Sequence, residues 1–219
     1  MILFKDRVDA AQKLAKKLEN LRNENPVILA IPRGGVVTGD IIAKKLGVKL
    51  DIIISRKIGA PYNPELAIGA VMHDGSFFPN ADIIAALNVP SQYIEKEIKS
   101  ELKEIERRVM KFRGNVEYDL KGKTVVLVDD GIATGATVFA AVEWVKKQYP
   151  KRVIVAIPVG PRDTIERLSK IAEVVVLDIP VFFSAVGEFY NVFEQVEDYQ
   201  VMEILSSYGH KPKPDNQSR

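Results

Sequence analysis

The sequence contains no cysteine, so disulfide bonds and thiolate metal sites are excluded. Its two histidines, His73 and His210, do not have the spacing of a zinc ligand set, so no zinc site is expected. There is also no long apolar run at the N-terminus, where MILF gives way to charged residues. That run is too short for a signal peptide or a membrane span. We therefore expect a cytoplasmic protein that is stabilised by its hydrophobic core and does not contact a membrane.

Neither sign of charge is in large excess. The sequence has 31 Lys and Arg residues against 29 Asp and Glu, which gives a net charge of +2. Dedicated nucleic-acid-binding domains are strongly basic, so nucleic acid is not an expected partner. A chain of 219 residues can bury a sizeable core. Because no linker divides it, residues 1–207 are interpreted as one domain and residues 208–219 as a flexible tail.

Short apolar runs and amphipathic segments alternate along the chain. The runs, typical of strands buried on both faces of a sheet, begin at Val27, Asp51, Thr124, Arg152 and Glu173. Segments with helical spacing lie at residues 8–21, 36–46, 136–148 and 162–171. This alternation predicts an α/β fold with a doubly wound, mostly parallel sheet.

One longer segment, at about residues 91–113, interrupts the alternation. Its apolar residues recur at helical spacing in an otherwise charged sequence. We interpret it as a long helix that packs one stripe on the core or on another subunit. Its role stays open.

The segment VVLVDDGIATGAT, residues 125–137, places two acids where a predicted buried strand ends. The carboxyl ends of parallel strands are where α/β proteins bind ligands, so Asp129 and Asp130 are expected in a binding site. As adjacent acceptors they suit vicinal hydroxyls or a hydrated Mg²⁺ ion. Gly131 and Gly135 permit a tight backbone after them.

The second half of this segment leads into a predicted helix. Amides between Ala133 and Thr137 would lie at the helix N-terminus, which attracts anions. Thr134 and Thr137 add hydroxyl groups. A diol site followed by an anion site matches a ribose 5-phosphate. The segment lacks the lysine of a Walker A loop and the G-x-G-x-x-G of a Rossmann fingerprint; the alternative is a glycine-rich turn with two solvated acids.

Residues 125–137 resemble the signature with which type I phosphoribosyltransferases bind 5-phosphoribosyl-1-pyrophosphate (PRPP): apolar strand residues, an acidic pair, then A-T-G-x-T. The resemblance implies that Asp129 and Asp130 hold the ribose hydroxyls and also Mg²⁺, either directly or through water. The implied contacts of PRPP in this loop are Asp129, Asp130, Gly131, Ala133, Thr134, Gly135, Ala136 and Thr137.

A second loop, IPRGG at residues 31–35, also follows a predicted strand and opens a helix. It resembles the pyrophosphate loop of the same family, in which one peptide bond is often cis. Arg33 offers a planar fork to pyrophosphate oxygens, and Gly34 and Gly35 let the backbone approach the ligand. The alternative is an ordinary turn.

A third segment, SRKIGAPYNPELAIG at residues 55–69, is punctuated by glycine and proline and is interpreted as a loop. Similar enzymes cover PRPP with a mobile loop in this position. Arg56 and Lys57 are therefore candidates for pyrophosphate contacts, and Glu65 could face the site. The alternative is that Arg56 and Lys57 are ordinary surface charges.

The likeness extends from residue 4 to about residue 207, to a subgroup of predicted phosphoribosyltransferases. It implies a small hood built over the sheet from terminal segments. Phe182, Phe183 and Tyr190 are candidates there for stacking on a base, with burial in the core as the alternative. A homodimer is also expected from the resemblance.

The resemblance implies Mg²⁺-dependent transfer of ribose 5-phosphate from PRPP to a nitrogenous base, with release of pyrophosphate. The candidate catalytic residues are Arg33, Arg56, Lys57, Asp129 and Asp130. One position departs from some 6-oxopurine enzymes, which carry an Asp base where this chain has Ala133; adenine-type, xanthine-type, pyrimidine and unknown acceptors stay open. The alternative function is a regulator that binds PRPP without turnover. PRPP synthesis is disfavoured because no ATP site is found.

Overall fold

The computed structural model describes residues 2–213. In chain order its helices and strands are α1 (Arg7–Lys17), β1 (Val27–Ala30), α2 (Gly34–Leu46), β2 (Leu50–Ile52), β3 (Ser55–Ala60), β4 (Asn63–Met72), β5 (Phe77–Pro79), α3 (Ala81–Ala86), α4 (Ser91–Phe112), β6 (Thr124–Val128), α5 (Ala136–Lys146), β7 (Arg152–Val159), α6 (Arg162–Ser169), β8 (Glu173–Asp178) and α7 (Asp198–Ser207). Two short 3₁₀ helices, Glu19–Glu24 and Val186–Phe189, lie between them.

All five predicted strands are present, and they form one parallel sheet in the order β2-β1-β6-β7-β8. The strands read as continuous apolar runs because both faces of the sheet are covered. Ile28 and Ala30 pack into the core on one face, while Leu29 and Ile31 pack into the core on the other. The predicted α/β fold with a doubly wound, mostly parallel sheet is confirmed.

The interpretation of residues 55–69 as a loop is wrong. These residues belong to β3 and β4, which pair antiparallel from Ser55 with Met72 to Ala60 with Asn63, and β5 extends the sheet. The turn between the two strands includes Tyr62 in a left-handed conformation. Glycine and proline therefore mark a hairpin turn and irregular pairing at Gly59, where a β-carbon would lie 2.7 Å from Pro64.

The predicted long helix is α4, and its C-terminal half carries the buried stripe. Ile105, Val109 and Phe112 are fully buried, and the helix packs on β3, β4 and α7. The stripe thus faces the core of this chain.

The chain after α7 returns to the body of the protein. Nε2 of His210 lies 3.1 Å from the carbonyl oxygen of Leu50, and the Lys213 amide donates to the carbonyl of Lys111 at 3.1 Å. The remainder of the predicted tail, residues 214–219, lies outside the described residues. Among residues 2–213, no helix combines the length and apolar character needed to cross a membrane.

Candidate functional site

The acidic pair lies at the carboxyl end of the sheet, directly after β6. Oδ1 of Asp129 accepts the backbone N–H of Asp130 at 2.8 Å. Burial, together with the negative charge of neighbouring Asp130, raises the pKa of Asp129 well above its usual range. Two carboxyl groups side by side in a partly buried position therefore form a site whose charge a bound ligand or cation can balance.

The loop after the pair has the conformation that its glycines permit. Gly131 has a φ of 152° and Gly135 a φ of 76°. The loop is fixed at two points: Ile132 donates its N–H to the carbonyl of Val159 at 3.0 Å, and the Thr164 hydroxyl donates to the carbonyl of Ala133 at 2.8 Å. The small residues between these points therefore sit on a rigid support.

The loop ends at the N-terminus of α5. Within the described part of the chain, no side chain caps this helix at Gly135, and the first N–H groups of any α-helix have no partner within it. These N–H groups, reinforced by the helix dipole, favour an anion.

A cavity of about 210 Å³ opens over this loop. It is lined by Lys57, Asp129, Gly131, Ile132, Ala133, Thr134, Gly135, Ala136, Thr137 and Val138. The structure thus brings the predicted anion-binding residues of the loop together around one space and places a lysine from β3 beside it. Its combination of amides, hydroxyls and a cation suits a phosphate group.

The second predicted loop lies against the acidic pair. A β-carbon on Gly34 would lie 1.8 Å from Oδ2 of Asp130, and one on Gly35 would lie 3.0 Å from Oδ1 of Asp129. The peptide bond between Pro32 and Arg33 is cis. The two glycine loops that follow β1 and β6 are therefore in direct contact.

Arg33 forms an ion pair that the sequence did not indicate. Its Nη1 lies 3.3 Å from Oδ1 of Asp198, the first residue of α7, and Nζ of Lys111 lies 2.9 Å from the other oxygen of Asp198. Burial raises the pKa of Asp198, but hydrogen bonds from Lys111 and Arg33 outweigh it and hold that pKa below its usual value. Arg33 thus pairs with a carboxylate at the start of α7.

Arg56 and Lys57 are adjacent on β3 and point to different surroundings, because neighbouring side chains on a strand face opposite sides. Nε of Arg56 lies 2.6 Å from Oε2 of Glu101 on α4. Lys57 lines the cavity over the loop, and its Nζ lies 2.8 Å from Oε2 of exposed Glu65. The structure brings Lys57, and not Arg56, to the loop that is predicted to bind an anion.

The three candidate aromatic residues differ in position. Phe182 is 88% exposed. Phe183 stacks on Phe189 at 5.2 Å and lines a cavity of about 530 Å³ that includes Arg162 at the start of α6. Tyr190 is buried and donates its hydroxyl to the carbonyl oxygen of Asp130 at 2.5 Å. Tyr190 supports the acidic pair, whereas Phe183 lines an open space.

Sequence reasoning missed Arg7. Its Nε lies 2.6 Å from Oδ2 of Asp130, across 123 residues of chain. Its Nη1 donates to the carbonyl of Glu194 at 2.6 Å, and its guanidinium lies 3.8 Å from the ring centre of Phe193. The N-terminal and C-terminal segments therefore meet at the acidic pair, in the place where the resemblance predicted a hood.

The donor set fits a magnesium ion that is shared with a ligand. Within residues 2–213, no group of three or more acidic or histidine side chains converges. Mg²⁺ commonly binds through one or two carboxylates and completes its shell with water and phosphate oxygens. Asp129 and Asp130 could hold the ion in that manner.

The parallel sheet, the acidic pair after β6 and the glycine loop that leads into α5 agree with the phosphoribosyltransferase class that residues 125–137 resemble. The family model described as the phosphoribosyl transferase domain matches residues 4–191. That match covers most of the chain, and the protein belongs to this family.

Similar proteins of known sequence, and one of known structure, cover most of this chain. Two Mycobacterium tuberculosis proteins, from strains CDC 1551 and H37Rv, are 40% identical over 207 residues, and their names assign them provisionally to the phosphoribosyl transferases. The alignment covers 94% of this chain and 47% of theirs, so the chain spans about half the length of the curated relatives it matches. The crystal structure of TT1426 from Thermus thermophilus is 41% identical, covers 94% of this chain and 99% of its own, and superposes with a TM-score of 0.80.

Proposed function

We propose that this protein transfers the 5-phosphoribosyl group of PRPP to a nitrogenous base and releases pyrophosphate. The observation that carries the proposal is the cavity of about 210 Å³ in which the loop after Asp129 meets Lys57. Asp129 would accept hydrogen bonds from ribose hydroxyls, and the amides at the N-terminus of α5, together with Lys57, favour a phosphate. These groups follow one another around the cavity in the order in which ribose and its 5-phosphate would meet them. Membership of the phosphoribosyl transferase family supports the same reading.

The sugar and its phosphate would use different parts of the loop. Asp129 and Asp130 would accept hydrogen bonds from the ribose hydroxyls. The residues from Ala133 to Thr137 would hold the 5-phosphate through backbone N–H groups and the hydroxyls of Thr134 and Thr137. Because these groups are fixed by the sheet and by α5, binding would need little rearrangement of the loop.

The leaving pyrophosphate would lie near Arg33 and the backbone of Gly34 and Gly35. When bound, Mg²⁺ would neutralise negative charge on the leaving group. Arg33 would exchange its contact with Asp198 for a pyrophosphate oxygen, whereas Lys57, which lines the cavity over the loop, would add positive charge at the 5-phosphate. Departure of pyrophosphate leaves an oxocarbenium-like sugar, so electrostatic stabilisation of the leaving group would contribute most of the rate enhancement.

The acceptor base would enter from the side of α6 and the segment after β8. Phe183 lines a cavity of about 530 Å³ there, together with Arg162 and Asp163. An aromatic ring offers a stacking surface and the charged groups offer hydrogen bonds to base edges. Phe182 is exposed beside it.

Arg56 forms an ion pair with Glu101 on α4, and this contact supports a structural role for Arg56.

The direct test is turnover. The protein is incubated with PRPP, Mg²⁺ and each of a panel of purine and pyrimidine bases, and pyrophosphate release is measured. Release that depends on one base supports the proposal and names the acceptor. Tight PRPP binding without release for any base would favour the regulatory alternative, and absence of both would contradict the proposed site.

A double variant tests the role of the acids. Asp129→Asn with Asp130→Asn keeps the size of both side chains and removes their charge. We expect PRPP affinity to fall while the far-ultraviolet circular dichroism spectrum shows a folded chain. Unchanged affinity would remove the acids from the assignment.

We also propose a homodimer in the cytoplasm, from the resemblance alone. Light scattering tests the assembly by comparing the solution mass with twice the chain mass of 24.4 kDa.

A further inference from the structure

Arg7 is the first residue of α1 and lies far from the predicted ligand loops in sequence. It nevertheless forms a largely buried ion pair with Asp130: the two side chains are 12% and 14% exposed, and Nε lies 2.6 Å from Oδ2. An arginine is costly to bury unless its charge and its N–H groups are satisfied. The position therefore requires a specific set of partners.

Those partners come from the other end of the domain. The carbonyl of Glu194 accepts from Nη1 at 2.6 Å, and the ring of Phe193 lies 3.8 Å from the guanidinium. Phe193 packs on Tyr190 at 4.8 Å, and Tyr190 donates to the backbone carbonyl of Asp130. Asp130 is thus held at its side chain by Arg7 and at its backbone by Tyr190.

The ion pair between Arg7 and Asp130 also reduces the repulsion between the two neighbouring acids. Asp129 and Asp130 are neighbours in a partly buried position, and two adjacent carboxylates repel each other. The guanidinium compensates one of them. Its Nε donates to Oδ2 of Asp130 at 2.6 Å, so the position of this oxygen is fixed. Because Gly34 packs against the same carboxylate, with no room for a β-carbon, the side chain of Asp130 is confined from two directions.

We propose that Arg7 is a positioning residue for ribose recognition: it fixes Oδ2 of Asp130 so that the carboxylate is presented to a ribose hydroxyl. This inference rests on the proposed function, because it presumes that the acidic pair binds the sugar of PRPP. Arg7 acts through Asp130. Its contribution is therefore restricted to ligands that carry the sugar.

The test compares three ligands on one variant. Arg7→Met removes the charge and the N–H groups but keeps an unbranched stem against Phe193. Loss of a charge-assisted hydrogen bond on the sugar-binding acid should weaken PRPP and ribose 5-phosphate by about tenfold or more. Inorganic phosphate, which needs only the loop from Ala133 to Thr137, should bind within about twofold of the wild-type value. Binding is measured by titration calorimetry with Mg²⁺ present.

Two further variants complete the design. Arg7→Lys keeps the charge but cannot reproduce the planar fork, so its affinity for ribose 5-phosphate should stay below that of the wild type. It also serves if Arg7→Met does not fold. Arg22→Met is the matched control: Arg22 also donates to a backbone carbonyl, that of Lys45, at the C-terminal end of α2 away from the site. It should bind all three ligands as the wild type does.

The outcomes separate the two proposals. If wild-type protein binds neither PRPP nor ribose 5-phosphate, the proposed function fails and this inference fails with it. If the wild type binds both and the Arg7 variants bind them equally well, the inference alone is overturned. An equal loss of affinity for inorganic phosphate would also overturn it, because Arg7 would then support the loop as a whole.

Discussion

Gly34 packs directly on the carboxylate of Asp130, so closely that a β-carbon on the glycine would lie 1.8 Å from Oδ2. The two residues belong to different loops, one after β1 and one after β6. Parallel strands place their carboxyl ends at one edge of the sheet, and β1 and β6 are neighbours there. The contact makes the acidic pair and the Arg33 loop a single structural unit, and it makes the glycine a sensitive point for ligand binding.

Replacing Gly34 should therefore damage the site. In Gly34→Ala, the added methyl group must displace the Asp130 carboxylate, which Arg7 holds in place. Because that carboxylate would accept hydrogen bonds from the ribose, we expect PRPP affinity, measured by calorimetry, to fall by about tenfold or more.

The other end of α2 provides the control. Gly47→Ala adds a methyl group at a residue with a φ of 72°, and the new carbon would meet no described atom within 4 Å apart from those of the adjoining backbone and chain neighbours. Backbone strain should lower the free energy of unfolding by about 1 kcal/mol without a change in PRPP affinity. If Gly34→Ala and Gly47→Ala changed PRPP affinity equally, the packing of Gly34 on Asp130 would not be important for ligand binding.

The adjacent cations Arg56 and Lys57 should behave differently. Lys57 lines the cavity over the loop, whereas Arg56 pairs with Glu101 on α4. Lys57→Met should weaken PRPP by about tenfold, because a charge-assisted contact with a phosphate is lost. Arg56→Met should lower the free energy of unfolding by about 1 kcal/mol or less and leave PRPP affinity close to the wild-type value. Calorimetry and urea unfolding of both variants decide between these assignments, and a larger binding defect in Arg56→Met would reverse them.

The ion pair between Arg113 and Asp51 should be important for stability. Arg113 is 5% exposed, and its Nε and Nη2 donate to the two oxygens of Asp51 at 2.7 and 2.9 Å. Arg113→Met removes both guanidinium hydrogen bonds from Asp51, while the Ile52 amide at 2.7 Å and Nε2 of His210 at 3.6 Å stay beside the carboxylate. The change should cost about 3 kcal/mol of unfolding free energy. In comparison, Arg107→Met removes an exposed partner of Glu104 and should cost about 1 kcal/mol or less. Urea unfolding measures the free energy of both variants. Equal losses would show that burial does not increase the contribution of the Arg113 ion pair to stability.

Acid should weaken the fold in part through Glu104. Its hydrogen bond from Arg107, and a second from Arg108, outweigh burial and lower the pKa of Glu104 from 4.5 to about 2. A carboxyl group whose pKa is lower in the folded state stabilises the protein above the unfolded value and loses that contribution as pH falls from 4.5 towards 2.

The stability difference between wild type and Glu104→Gln should therefore be largest near about pH 6 and shrink by about pH 3. Urea unfolding at the two pH values checks this. Glu106→Gln, at an exposed position on the same helix, controls for the loss of one acid from α4. A difference that stays constant with pH would argue against the ion pairs of Glu104.

The sequence was most informative where local pattern and burial agree. The strands of the parallel sheet are apolar throughout because both faces are covered, so all five could be located. The bounds of α4 followed from its apolar spacing, because Ile105 and Val109 carry the stripe into the core. The hairpin of β3 and β4 was missed since Gly59 and its neighbouring prolines disguise a paired, irregular strand as a loop.

The candidate site was predictable in its loops and not in its ion pairs. The acidic pair and the residues up to Thr137 are contiguous, so one segment of sequence contains most of the cavity lining. The partners of Arg33 and Asp130 are not contiguous with them: Asp198 lies 165 residues after Arg33, and Arg7 lies 123 residues before Asp130. Only folding brings such residues together, and the order of charges along the sequence does not indicate which acidic and basic residues will form ion pairs.

The most direct measurement is a crystal structure of the protein soaked with PRPP and Mg²⁺. We expect density for the sugar phosphate over the loop after β6, with ribose hydroxyls within hydrogen-bonding distance of Asp129 and Asp130 and the 5-phosphate on the amides that precede α5. Density for PRPP elsewhere, with this loop empty at a ligand concentration that saturates binding in solution, would contradict it.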